Sequence, residues 1–120
     1  MTKKILIIED HADIRRVLSL TLRHFGYETV EATDGRSGIE LTLRERPDLV
    51  LLDLSLPDVS GFEMAKTLKK NPRTAEIPLV GLSAYAEQDT ALRALAAGMA
   101  EYLVKPADSH KLAAVIERLI

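Results

Sequence analysis

The sequence has no cysteine and no tryptophan, and only two phenylalanines and three tyrosines among its 120 residues. Without cysteine there is no disulfide, no thiolate zinc site and no Cys nucleophile. So few aromatics leave little on which the bases of single-stranded nucleic acid would stack. Charge of one sign is also scarce. Sixteen Lys and Arg stand against eighteen Asp and Glu, for a net −2, and bulk nucleic-acid binding runs on a basic surplus. No apolar run approaches the ~18 residues of a membrane span. The opening Met1-Thr2-Lys3-Lys4 leads into a short strand-like run rather than a signal peptide. What the chain does have is 47% apolar residues, too many for a disordered polymer. Its length suits one domain, 1–120, which buries roughly two-thirds of its unfolded surface. The expectation is a soluble, cytoplasmic, aliphatic domain.

Five short aliphatic runs punctuate the chain: Ile5–Ile8, Thr29–Ala32, Leu49–Leu54, Leu79–Leu82 and Tyr102–Val104. Helical periodicity fills the intervals. Ile14, Val17, Leu18, Leu22 and Phe25 form one apolar face, and Gly26 follows as a stop. Asp34 is placed to cap a second helix that ends before Pro47. Phe62, Ala65 and Leu68 mark a third. Leu92, Leu95 and Ala96 mark a fourth, closed by Gly98. Leu112, Val115, Ile116 and Leu119 mark a fifth, with Ser109 as its candidate cap. Alternating strands and helices predict an α/β fold: a (βα)5, doubly wound, five-stranded parallel sheet in the flavodoxin-like order 2-1-3-4-5. Ile5–Ile8 and Leu49–Leu52 are continuously apolar, as strands buried on both faces are. The mixed second strand, Glu28 to Ala32, reads as an edge.

In an open parallel sheet, ligands bind beyond the carboxyl ends of the strands. Those ends read Glu9-Asp10, Asp53, Ser83 and Lys105-Pro106. Three carboxylates, one hydroxyl and one ammonium therefore meet on one rim. Crowded carboxylates raise one another's pKa unless a cation is present. Hard oxygen donors suit Mg²⁺, which favours one or two carboxylates plus a phosphoryl oxygen. Such a cation and Lys105 would neutralise an incoming phosphoryl group, Ser83 could donate to it, and a carboxylate can act as its nucleophile.

These residues, with Leu56-Pro57-Asp58-Val59-Ser60-Gly61, resemble the receiver domain of two-component response regulators, and the resemblance runs over essentially the whole chain. It implies that Asp53 is the phosphoacceptor, receiving phosphate from a phospho-histidine on a sensor histidine kinase or phosphotransfer protein. It implies Mg²⁺, or Mn²⁺ in its place, bound by Asp10, Asp53 and the backbone carbonyl of Ser55, with Glu9 acting through water. Lys105 would contact the phosphoryl oxygens. Ser83 would move toward the phosphate and Tyr102 rotate inward, with a cis Lys105–Pro106 peptide. The readout would be the face of the fourth helix, fifth strand and fifth helix (Ala91, Leu95, Tyr102, Lys111), controlling a downstream effector protein or domain. No direct nucleic-acid or membrane contact is expected. Catalysis would amount at most to self-phosphorylation from a donor and slow autodephosphorylation.

Blander roles stand beside these. Asp10 or Asp13 could cap the first helix, and Tyr102 could simply pack. His11 reads as an exposed loop histidine, with tuning of a metal or water as the alternative. His24 and His110 show no ligand spacing. Tyr85 could shield the site. Two other functions compete: a small metal-dependent aspartyl-phosphate phosphatase, for which Ser55 stands where a second Asp would act as acid/base, and a phosphorylation-independent interaction module.

Overall fold

In a computed structural model, which describes residues 2–84 and 88–120, strands and helices alternate throughout. They are β1 (Lys4–Ile8), α1 (Ala12–His24), β2 (Glu28–Ala32), α2 (Gly35–Glu45), β3 (Leu49–Asp53), α3 (Gly61–Lys70), β4 (Leu79–Ser83), α4 (Gln88–Ala96), β5 (Glu101–Val104) and α5 (Ser109–Leu119). The five strands pair in parallel in the order β2-β1-β3-β4-β5. The expected architecture and the edge position of β2 are thus met.

Alternation along each strand divides the core in two. Leu6, Ile8, Val50 and Leu52 face Met64, Ala65 and Leu68 of α3 and Ala94 of α4. Ile5, Ile7, Leu49 and Leu51 face Leu18 and Leu22 of α1 and Leu112, Val115 and Ile116 of α5. β1 and β3 are central and covered on both sides, which is why Ile5–Ile8 and Leu49–Leu52 are apolar without a break. Each such fully buried Leu or Ile contributes about 1.5–3 kcal/mol of transfer free energy.

Several local expectations shift. β3 ends at Asp53, one residue short of Leu54. On α1 only Leu18, Ser19 and Leu22 are buried. Val17 stays 62% exposed, Ile14 is exposed too, and Phe25 falls beyond the last helical residue. On α4 the residues packed inward are Ala94 and, just beyond its end, Ala97 and Met99, while Leu92 and Leu95 face out. The alanine stripe is the one turned to the core, and the neighbouring leucine stripe is left outside. The cap of α5 is Asp108 rather than Ser109, its carboxylate accepting from the His110 and Lys111 N–H groups.

α2 is capped twice. Asp34 accepts from Ser37 N at 2.8 Å, as expected of a cap three residues before a free N–H. Asp58, from the loop after β3, accepts from Gly35 N at 2.9 Å and Arg36 N at 3.0 Å. Foremost among its influences, the Gly35 N–H holds the Asp58 carboxyl below the ordinary range. A depressed folded pKa adds stability above the unfolded value and loses it as pH falls through the folded one. Asp58→Ala is therefore expected to lower the thermal midpoint at pH 7, Asp58→Asn to lower it less, and the difference from wild type to fade in acid. Melting curves taken from neutral pH down to about pH 3 check this; an unchanged midpoint for Asp58→Ala at pH 7 contradicts it.

Candidate functional site

The carboxyl ends of β1, β3, β4 and β5 lie side by side, so the chain bends out of the sheet there four times along one rim. Glu9 and Asp10 follow β1, Asp53 and Ser83 close β3 and β4, and Lys105 follows β5. Glu9 is fully buried, and Asp53 and Ser83 are each 2% exposed. Buried charges must be paired, and Lys105 supplies the counter-charge. Its ammonium lies 2.7 Å from Glu9 Oε1 and 3.2 Å from Asp53 Oδ1. The Lys105 N–H donates to the Ser83 carbonyl at 2.7 Å, which fixes where β5 leaves the sheet. The Lys105–Pro106 peptide is cis, as the resemblance implied.

The acidic pair is fixed from both sides. Arg15, one turn into α1, donates to the Glu9 carbonyl at 2.9 Å and pairs with Glu31 of β2 at 3.2 Å. The His11 N–H donates to Glu9 Oε2 at 3.1 Å, and His11 Nδ1 lies 3.2 Å from the same oxygen. At Asp53, Oδ1 accepts from the Ser55 N–H at 3.1 Å. Ser55 itself sits exposed in the loop after β3. Tyr102, half-buried on β5 opposite Gly81, packs against the core beneath α4.

Two carboxylates of similar burial are driven in opposite directions. Burial pushes Glu9 up, but the Lys105 hydrogen bond, the His11 N–H and the Lys105 charge prevail and hold it at about 2. For Asp53 burial wins: the Ser55 N–H and Lys105 oppose it, the charge of Glu9 reinforces it, and the carboxyl ends above its ordinary value. Burial weakens the Lys105 ammonium, yet its bond to Glu9 and the charge of Asp53 outweigh that and raise its pKa. Lys105 and Glu9 thus form a tight pair, and Asp53 is the carboxylate left short of counter-charge.

Among the described residues, Asp53 Oδ2 and Asp10 Oδ1 are buried oxygens with no hydrogen-bond partner. Acceptors without a hydrogen bond are costly, and two of them in one acidic cluster suit a divalent cation. One ligand atom from each of Glu9, Asp10, His11 and Asp53 lies within 4.8 Å of the others. The donor set fits a hard or borderline divalent ion.

The structure therefore brings Glu9, Asp10, Asp53, Ser83 and Lys105 together, with Ser55 adjacent. His11, expected in an open loop, has an exposed ring but turns its nitrogen onto Glu9. It also occupies the N-cap of α1, the position considered as a blander role for Asp10 or Asp13. His24 meets Phe25 edge-on, His110 lies on the exposed start of α5, and neither approaches the rim. Tyr85 lies outside the described residues. No sequence motif marks Arg15, and Asp58 enters only within the Leu56–Gly61 run, without its capping role; a basic residue one turn into the helix after an acidic pair is the available signal for the first.

The model of the response regulator receiver domain matches residues 5–117. The phosphate regulon transcriptional regulatory protein PhoB of Pseudomonas aeruginosa is 36% identical over 118 residues, 98% of this chain and 52% of that protein. Its Escherichia coli counterpart is 37% identical over 120 residues, 100% of this chain and 52% of that protein. The chain spans about half the length of these relatives. Among solved structures, the chemotaxis response regulator CheY4 of Vibrio cholerae superposes with a TM-score of 0.93 at 28% identity, covering 100% of both chains. The receiver domain of a sensor histidine kinase from Pseudomonas aeruginosa, with a magnesium ion coordinated in its active site cleft, gives 0.91 at 28% identity, covering 99% of this chain and 98% of that one.

Proposed function

Because the chain belongs to the response regulator receiver domain family, we propose that it is a phosphorylation-operated switch in which Asp53 takes the phosphoryl group from a phospho-histidine. The observation that carries this is Asp53 itself: a buried carboxylate at a strand end, short of counter-charge, with one oxygen unpartnered and an ammonium 3.2 Å from the other. An Asp53 oxygen attacks phosphorus, the P–N bond to the donor imidazole breaks, and the imidazole leaves with its electron pair and takes up a proton. Lys105 then exchanges part of its hold on Glu9 for the phosphoryl oxygens, and the buried Ser83 hydroxyl lies within the same rim to receive another.

Asp10, Asp53 and the Ser55 carbonyl would hold Mg²⁺ or Mn²⁺, with Glu9 reaching the ion through water. The bound ion supplies charge neutralisation of the phosphoryl oxygens. A magnesium ion in the cleft of the similar kinase receiver supports this assignment. Output follows from differential contact. The phosphoryl oxygens become new contacts for Lys105 and Ser83, which shifts an existing equilibrium toward the conformation that supplies those contacts. Tyr102, next to the Gly81–Ser83 end of β4, carries the change to the face of α4, β5 and α5, where Leu92 and Leu95 already stand exposed. The partners are a cytoplasmic histidine kinase or phosphotransfer protein and an effector that reads this face.

Incubation with Mg²⁺ and a small acyl-phosphate or phosphoramidate donor should add about 80 Da as a base-labile acyl phosphate, mapped by peptide mass spectrometry to Asp53. No adduct from small donors or a kinase, or an adduct on another residue, would overturn the proposal.

A further inference from the structure

His11 stands where a helix cap belongs. The N-cap position favours Ser, Thr, Asp or Asn, whose short side chains accept from the first free N–H groups of the helix. The His11 side chain makes no such bond. Its ring turns to the rim instead, with Nδ1 3.2 Å from Glu9 Oε2 and 3.4 Å from Asp10 Oδ1. A residue poor at the local structural task, aimed at a cluster of carboxylates, marks a position where local stability yields to another use.

The cluster itself points to a ligand. Asp53, 2% exposed, belongs to it and carries a buried oxygen with no hydrogen-bond partner, and Asp10 Oδ1, 3.4 Å from the His11 ring nitrogen, has no hydrogen bond either. Glu9 is already engaged by Lys105. That leaves two carboxylates and one imidazole. Their ligand atoms spread over no more than 4.8 Å, and bonds of about 2.1 Å to one ion require a spread of roughly 3–4 Å, so small side-chain movements close the gap. Mg²⁺ demands oxygen and sheds water reluctantly, so an imidazole nitrogen adds little for it. Zn²⁺, Co²⁺ and Ni²⁺ accept imidazole readily.

Resting on the reading of this rim as a cation site, we propose that His11 Nδ1 is a third cation ligand beside Asp10 and Asp53, giving a mixed nitrogen and oxygen site that discriminates in favour of first-row transition ions over Mg²⁺. The ring then carries its proton on Nε2 and presents the Nδ1 lone pair to the ion. Among the described residues no other histidine comes near this cluster.

Calorimetric titration with Zn²⁺, Co²⁺ and Mg²⁺, each alone, tests this on wild type, His11→Ala and His11→Asn. Asparagine is a good N-cap and keeps the start of α1 intact, so a loss in that variant is not unfolding. Both variants should lose about tenfold or more in Zn²⁺ and Co²⁺ affinity while Mg²⁺ affinity stays within about twofold. In long-range ¹H–¹⁵N spectra of the imidazole nitrogens, His11 Nδ1 should shift on adding Zn²⁺ and not on adding Mg²⁺. If Mg²⁺ binds but the variants take Zn²⁺ as wild type does, or the His11 nitrogen does not move, the ligand role of His11 is overturned. If wild type binds none of the three ions, the cation-site reading itself fails and takes this inference with it.

Discussion

Asp53→Asn is expected to abolish the phosphoryl adduct and, in buffer stripped of divalent cations, to raise the thermal midpoint at pH 7. The two effects share one cause. Burial, reinforced by the charge of Glu9, lifts the Asp53 carboxyl above its ordinary value despite the Ser55 N–H and Lys105. A carboxyl whose pKa is higher folded than unfolded binds protons more readily in the native state. Stability therefore falls as pH rises from the ordinary carboxylate value of about 4 through the raised one, and the ionised group weighs against the fold at pH 7. Asparagine removes that charge and keeps an oxygen for the Ser55 N–H. Lys105 loses its contact at 3.2 Å and retains the closer one, 2.7 Å from Glu9. The gain should vanish below about pH 4, where wild-type Asp53 is protonated. Mg²⁺ should reverse the ranking, since a ligand at 100 times its Kd adds about 2.7 kcal/mol to the form that binds it. Calorimetric melts at two pH values, with and without Mg²⁺, separate these cases. A variant less stable than wild type at pH 7 without Mg²⁺ would show that Asp53 contributes more to the Lys105 pairing than its burial costs.

The legible parts of the chain are those in which one physical cause leaves one pattern. β1 and β3 are covered on both faces, so Ile5–Ile8 and Leu49–Leu52 read as strands without ambiguity, and the strand ends then give the rim. Glu9, Asp10, Asp53, Ser83 and Lys105 were findable because topology alone brings strand ends together. Helix faces were harder. In α4 the periodicity offers two adjacent stripes, one with Leu92 and Leu95 and one with Ala94, and side-chain hydrophobicity alone favours the one the fold leaves exposed. Pairings that depend on loop conformation left no periodic trace. Asp58 caps a helix 23 residues earlier in the chain. His11 looks like solvent-facing loop in one dimension, and its side chain is indeed 65% exposed. Only the turn between β1 and α1 aims its nitrogen at Glu9 and Asp10.

Gly61→Ala is expected to destabilise the protein by on the order of 3 kcal/mol and to slow adduct formation, although Gly61 carries no chemistry. Gly61 opens α3, directly after the cap Ser60, whose hydroxyl accepts from Glu63 N at 3.2 Å. A Cβ there would stand 2.6 Å from the Leu54 Cα and 2.8 Å from the Asp53 carbonyl oxygen. Both are backbone atoms and cannot rotate aside. Moving α3 outward would strain the Gly61 N–H bond to the Leu54 carbonyl, now 3.1 Å, and open the Met64 and Leu68 packing. Moving the other side would displace the segment from Asp53 to Ser55, on which both the Asp53 carboxylate and the Ser55 contacts depend. Either route couples a packing defect to the rim. Gly26→Ala is the contrasting case. Gly26 has φ +93 but nothing within 4 Å of the added carbon, so its cost is the backbone conformation alone, about 1 kcal/mol, with adduct formation unchanged. Denaturant midpoints and adduct rates for the two variants distinguish the mechanisms. A Gly61→Ala protein as stable as Gly26→Ala would mean that α3 can shift away from the end of β3 at little cost, and that the Asp53 backbone is not held by this contact.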